Sequence, residues 1–320
     1  MISVRNLVRR FGARYAVNDI SFDVEEGVVL GFLGPNGAGK STTMRVITGF
    51  LPPTSGSVVV NGYDVTESPV EVRTCIGYLP ENAPCYGDMT VKAFLRFIAE
   101  MRGFRGKERN ARADAAIEKC ILQPVRNQTV DTLSKGYRQR TCFAQAILHD
   151  PPVLILDEPT EGLDPNQKKV VRDMMTNMGQ EKVIILSTHV LEEVEAICTR
   201  VIIISDGKLV ADSTPAELKR RSASYNAVTV RIVAPPEEVK SAFEGLADVA
   251  RVDMLQTNHE QQTVRLHPSE QQPIAARTLD LARERNWLVT DIHTDGGRLD
   301  EVFRSLTKTE DALAGSRREA

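Results

Sequence analysis

The 320-residue chain is poor in the features that mark several large protein classes. Its five cysteines (Cys75, Cys85, Cys120, Cys142 and Cys198) are odd in number and scattered, with no C-x-x-C pair. That argues against a disulfide framework or a cysteine zinc site and fits reduced thiols in the cytoplasm. There is no basic excess either. Lys and Arg number 40 against 43 Asp and Glu, a net charge of −3, so no nucleic-acid partner is expected. The apolar stretches at 153–156 and 201–204 fall far short of the ~18 residues of a membrane span. Met1-Ile2-Ser3-Val4-Arg5 lacks the basic region and long apolar segment of a secretory signal. Any membrane role therefore needs another chain. No internal repeat is present.

What is there is globular material. The chain is 42% hydrophobic and 26% charged, enough for sizeable cores. Its length suits roughly two domains. The most telling stretch is Gly34-Pro35-Asn36-Gly37-Ala38-Gly39-Lys40-Ser41, which spells G-x-x-x-x-G-K-S. An apolar run (28–33) precedes it and a helix-compatible segment beginning at Thr42 follows, the context of a phosphate-binding loop. Glycines let successive backbone N–H groups converge on a polyphosphate, and the following helix adds its positive end. Lys40 can reach the β- and γ-phosphates, and the Ser41 hydroxyl can ligate Mg²⁺. The reading is a nucleoside triphosphate site.

Alternation predicts strands at 4–8 and 20–24, and another at 57–60 ending in the Asn61-Gly62 hairpin signal. From 89 to 121 the spacing turns helical. Bare β-branched or Leu-rich runs at 153–156 and 183–186 suit parallel strands buried on both faces. The first domain, 1–220, is therefore an α/β core with a strand-rich start and a helical insertion at about 82–150. After a break near Lys219–Ser224, the order strand, helix, strand, strand, helix, strand resembles a small α+β, ferredoxin-like βαββαβ domain, 226–307. A last helix is expected at 298–307 and a disordered tail at 308–320.

Two further motifs carry chemistry. Val153-Leu154-Ile155-Leu156-Asp157-Glu158 ends an apolar strand in two carboxylates. Beside a phosphate loop, Asp157 would hold Mg²⁺ through water, and Glu158 would orient or deprotonate an attacking water. By itself the pair reads equally as a strand ending at the surface. Leu133-Ser134-Lys135-Gly136-Tyr137-Arg138-Gln139 marks a helix start, a second anion-compatible site. Taken alone, it is only a capped helix.

In order along the chain stand a phosphate loop, a helical insertion, L-S-x-G-x-x-Q, L-I-L-D-E-P, G-L-D and S-T-H. That order resembles the nucleotide-binding subunit of ATP-binding-cassette (ABC) transporters over residues 1 to about 218. The resemblance implies ATP and Mg²⁺ as cofactors, with Gly34 to Ser41 and Thr42 around the phosphates. It implies that Phe11 stacks on adenine, although in isolation Phe11 reads as a core residue. It implies that Ser134 and Gly136 contact the γ-phosphate held by an opposite protomer. Gly162-Leu163-Asp164 would cross between protomers, and His189 would sense the γ-phosphate. Catalysis would rest on Glu158, His189 and Lys40, in a homodimer bound to integral membrane permease subunits at the cytoplasmic face of the inner membrane.

Two departures from the family pattern stand out. Lys135 and Tyr137 replace a glycine and a glutamine of the usual signature. Glu81, in Tyr78-Leu79-Pro80-Glu81, stands where the family commonly has a glutamine that reaches a Mg²⁺-bound water. Both features, with Leu79-Pro80-Glu81-Asn82-Ala83-Pro84, resemble the gliding-motility and nitrous-oxide-reduction type of bacterial exporter ATPase. The competing reading is a soluble ABC-type ATPase acting on ribosomes or DNA. Such proteins carry a second cassette or a long coiled-coil insertion, and neither is visible here.

Overall fold

A hairpin opens the chain. In the computed structural model β1 (Ile2–Phe11) and β2 (Arg14–Val24) pair antiparallel across a turn at Gly12. Both strands outrun the 4–8 and 20–24 segments expected from alternation. Backbone pairing carries the ladder through Arg9, Arg10 and Arg14, whose side chains give no strand pattern. β3 (Val29–Leu33) is buried along its whole length and runs into the glycine loop, after which α1 (Lys40–Ile47) begins. β4 (Ser55–Val60) and β5 (Tyr63–Asp64) complete an antiparallel sheet of order β2-β1-β4-β5.

Next come α2 (Pro69–Cys75) and β6 (Ile76–Leu79), then the helical insertion. Its first helix, α3 (Val91–Met101), is capped by Thr90, whose Oγ1 accepts from the Ala93 N–H at 3.2 Å. Val91, Phe94, Leu95 and Ala99 form its buried face. α4 (Gly106–Lys119) and α5 (Lys135–Ile147) follow. The chain then alternates: β7 (Val153–Asp157), α6 (Pro165–Met178), β8 (Val183–Thr188), α7 (Leu191–Ile197), β9 (Arg200–Ser205) and β10 (Lys208–Ser213).

These strands build a second sheet of order β10-β9-β3-β8-β7-β6, parallel except for β10 at its edge. A parallel sheet is covered on both faces, which is why β7 and β8 read as unbroken apolar runs. Leu30, Phe32, Ile155, Ile185 and Ile202 are buried in one cluster with Val17, Ile20 and Phe22 of the first sheet. Because β3, β8 and β7 are parallel neighbours, the loops that leave their carboxyl ends lie side by side. Ligands of such sheets bind at that edge.

The structure describes residues 1–257 and 261–315 and divides into two units, Met1–Thr214 and Pro215–Ala320. The division precedes the residue-220 boundary read from the sequence, because α8 (Pro215–Arg220) packs within the second unit. There β11 (Val228–Val233), α9 (Pro236–Glu244), β12 (Val249–Thr257), β13 (Gln261–Pro268), α10 (Ala275–Glu284) and β14 (Leu288–Thr294) give an antiparallel sheet of order β12-β13-β11-β14. Val228, Val230, Ile232, Val264 and Leu266 alternate inward onto Val239 and Phe243 of α9. The last helix, α11 (Leu299–Gly315), continues past Thr307 into the stretch expected to be a tail. Residues 308–315 hold good helix formers (Lys, Glu, Ala, Leu) and no proline. The rest of that expected tail, 316–320, lies outside the described residues, as does His259.

Candidate active site

The glycine loop is shaped by what a side chain would strike. Gly39 has φ 110°, and a Cβ there would run into the carbonyl oxygen of Ala16. It is also the N-cap of α1, and no side chain caps that helix. The first amides of α1 are therefore left without side-chain partners, as an anion site requires. Lys40 Nζ folds back and donates to the carbonyls of Gly34 (2.7 Å) and Pro35 (3.2 Å). Burial pushes the Lys40 ammonium below its ordinary pKa, while the carboxylates of Glu158, Asp157 and Glu81 draw it back up.

Behind the loop, Asp157 is buried at the end of β7. Its Oδ1 accepts from the Ser41 hydroxyl at 3.2 Å and from the Ser187 hydroxyl of β8. The next residue turns sharply. Glu158 has φ 49°, a left-handed conformation that costs a non-glycine residue roughly 1–2 kcal/mol. Its N–H donates to the Ser187 carbonyl at 3.1 Å, which holds that conformation against the neighbouring strand. Such strain is often stored where chemistry needs a side chain aimed. The Glu158 carboxylate meets His189 Nδ1 at 3.0 and 3.1 Å. Burial raises the Glu158 pKa, and the hydrogen bond and charge of His189 oppose that.

A cleft of about 640 Å³ opens here, lined by Phe11, Asn36, Gly37, Gly39, Lys40, Ser41, Thr42, Glu81, Glu158 and His189. Gly34, Pro35 and Ala38 are not in its lining. Gly34 and Pro35 hold Lys40 from below, and Ala38 is buried. Asp157 reaches the site through Ser41. Ser134 and Gly136 lie elsewhere, at the start of α5. Phe11 is about half exposed, with the Arg9 guanidinium 4.6 Å from its ring centre, so it is not a core residue.

The cleft also contains residues that sequence reasoning missed. Arg14, Ala16 and Glu161 line it. Arg14 stands just past the hairpin turn from Phe11, and that nearness to an expected adenine contact was the available signal. Glu193, on α7, gave no signal at all. It is a buried carboxylate that accepts from the Thr160 hydroxyl and, at 3.2 Å, from Thr188 Oγ1, with Lys168 Nζ at 3.5 Å. It thereby joins the loop carrying Glu158 to the loop carrying His189.

Arg14 and Lys40 face Glu81, Glu158 and Glu161, so the lining bears more carboxylates than cations. A polyphosphate entering it would need a countercharge. Ser41 Oγ and Asp157 supply hard oxygen donors, and Mg²⁺ commonly takes one or two carboxylates and keeps its remaining waters. The residues fit that ion.

Comparison with known proteins decides the family. The family model described as ABC transporter matches residues 17–161. A solved structure described as the ATP binding subunit of an ABC transporter is 30% identical, with TM-score 0.63, over 69% of this chain and 92% of that one. This chain belongs to the family of ABC transporter ATP-binding subunits. The linearmycin resistance ATP-binding protein LnrL of Bacillus subtilis is 28% identical over 96% of this chain and 98% of its own length. The probable multidrug ABC transporter ATP-binding protein YbhF of Escherichia coli is 36% identical over 70% of this chain. This ABC subunit spans only 39% of YbhF. Among the described residues, no helix is long and apolar enough to cross a membrane.

Proposed function

We propose that this ABC subunit hydrolyses ATP to drive a membrane transporter, acting as a homodimer at the cytoplasmic face of the inner membrane. The observation that carries the reading is the meeting of Lys40, Ser41, Glu158 and His189 in one cleft while Ser134 and Gly136 stand outside it. A single copy supplies the phosphate loop, the water-activating carboxylate and the switch histidine. A second copy would supply the start of its α5 to close the site over the γ-phosphate.

In the proposed cycle the α1 amides and Lys40 bind the phosphates, and Phe11 stacks on adenine. Ser41, Asp157 and Glu81 would hold Mg²⁺, which when bound would supply the charge that neutralises the phosphates. Glu158 orients the attacking water and takes its proton, and His189 fixes the carboxylate that does so. Little covalent chemistry is asked of the protein; positioning and charge neutralisation do most of the work.

We read the second unit as a ferredoxin-like accessory domain, on its βαββαβ order and its sheet order β12-β13-β11-β14. Export is the direction favoured by the Glu81, Lys135 and Tyr137 departures, which resemble the gliding-motility and nitrous-oxide-reduction type. The test is to tag the chain, solubilise membranes gently and identify what co-purifies. A multi-span membrane protein in stoichiometric amount is expected. Recovery only from the soluble fraction, with ribosomes or DNA, would overturn the transporter reading in favour of a soluble ABC-type ATPase.

A further inference from the structure

The five cysteines are not equivalent. Cys120 and Cys198 are buried alone, and burial pushes each thiol up to about 12. Cys75 accepts from the Asn61 amide at 3.6 Å. Cys85 and Cys142 meet each other, with their sulfurs 2.6 Å apart. Cys85 is half-buried in the segment between β6 and α3, four residues after Glu81 of the cleft. Cys142 is buried midway along α5, the helix that begins at Ser134.

The pair is chemically asymmetric. The hydrogen bond from Cys142 lowers the Cys85 thiol, and the nearby Arg138 guanidinium favours its thiolate further. The same hydrogen bond, with burial, raises Cys142. A half-buried thiol of lowered pKa beside a second, buried thiol is the arrangement of a reactive cysteine and its resolving partner.

We propose that Cys85 and Cys142 form an oxidation site, in which a peroxide converts the thiol pair to a disulfide that ties the segment after Glu81 to α5 and slows ATP turnover. The Cys85 thiolate attacks one peroxide oxygen. The O–O bond breaks, hydroxide leaves and is protonated to water, and Cys85 becomes a sulfenic acid. The Cys142 sulfur then attacks the Cys85 sulfur. An S–S bond forms, the S–O bond breaks, and the departing hydroxyl takes the Cys142 proton as a second water. Two thiols are oxidised and one peroxide is reduced.

The functional consequence follows from placement. The bond closes a loop between positions 57 residues apart. It joins the Glu81-bearing segment to the helix whose start carries Ser134 and Gly136. Any rearrangement of one against the other during turnover is then blocked. This consequence rests on the proposed hydrolysis; formation of the disulfide does not.

The test treats the full chain with hydrogen peroxide, blocks free thiols, maps the peptides and measures ATP turnover before and after dithiothreitol. A Cys85–Cys142 linked peptide is expected, with turnover about tenfold slower and restored by the reductant, equivalent to ~1.4 kcal/mol of barrier. Cys85→Ser and Cys142→Ala should keep their turnover in peroxide, while Cys75→Ser stays as sensitive as the unaltered chain. An absent linked peptide overturns the proposal. So does a linked chain with unchanged turnover, or an equal slowing of Cys142→Ala. A reduced chain that hydrolyses nothing would instead sink the hydrolysis reading, and the peptide map would still decide whether the disulfide forms.

Discussion

Two helices of this subunit begin with an anion-compatible turn, and only one of them begins in a site. α1 starts at Gly39 without a side-chain cap, and Lys40, Ser41 and the buried Asp157 crowd its first turn. α5 starts at Ser134, whose own Oγ accepts from the Tyr137 N–H at 3.4 Å. Gly136, the second residue of α5, is buried, and a Cβ there would sit 2.6 Å from Gln167 Oε1. So Gly136 has a packing reason to be glycine inside one copy, quite apart from any phosphate. A helix dipole is worth well under a few kcal/mol to an anion. What separates the two ends is the set of cations, carboxylates and free amides gathered around α1. The α5 end offers a capped turn that does not line the cleft.

The widest way to sharpen that contrast is Glu158→Gln. It leaves the α1 amides, Lys40 and the cleft intact while removing the proton acceptor. ATP turnover is expected to fall about 10²- to 10⁴-fold, with nucleotide binding retained and a nucleotide-bound dimer accumulating. Steady-state hydrolysis and sizing chromatography with ATP check this. Unchanged turnover would remove Glu158 from the chemistry.

Ser134→Ala comes next and probes the α5 end. The lost cap costs about 1 kcal/mol of stability. If Ser134 donates to the γ-phosphate, its loss lowers turnover about 10²-fold. The contrast predicts where that donor acts. If Ser134 serves the partner's nucleotide, mixing Ser134→Ala with Lys40→Ala subunits rebuilds one complete site per mixed dimer and restores part of the activity. If it served its own cleft, mixing would restore nothing.

The same contrast explains how much was legible in the sequence. The α1 site was readable because phosphate loops gather their groups within a few residues: Gly39, Lys40 and Ser41 are consecutive, and Asp157 and Glu158 end one apolar strand. Parallel strands were readable because burial on both faces strips β7 and β8 of polar residues. What escaped was assembled by the fold. Arg14 and Ala16 reach the cleft only because β2 folds over the glycine loop, and Glu193 joins two loops that are about 30 residues apart in sequence and neighbours only through the β7–β8 pairing. The lengths of β1 and β2 were missed for the same reason, since their outer residues are held by ladder hydrogen bonds and not by an alternating pattern.

The smallest effect is the most specific to the α1 end. Burial raises the Glu158 carboxyl above the usual glutamate range of about 4.3, and His189 and Lys40 hold it down. Glu158 must be ionised to accept a proton. The turnover rate should therefore fall as pH drops through this raised pKa, at higher pH than an ordinary glutamate would dictate. His189→Ala removes the leading contribution that favours the carboxylate. The pKa then rises further and the acid limb of the pH–rate profile moves to higher pH, in addition to any loss of rate. A profile measured on the unaltered chain and on His189→Ala, at saturating ATP, reads the shift directly. An acid limb that stays in place would mean that the 3.0 Å contact between His189 and Glu158 does not persist in the working enzyme. The histidine would then act on the nucleotide alone and not through the base.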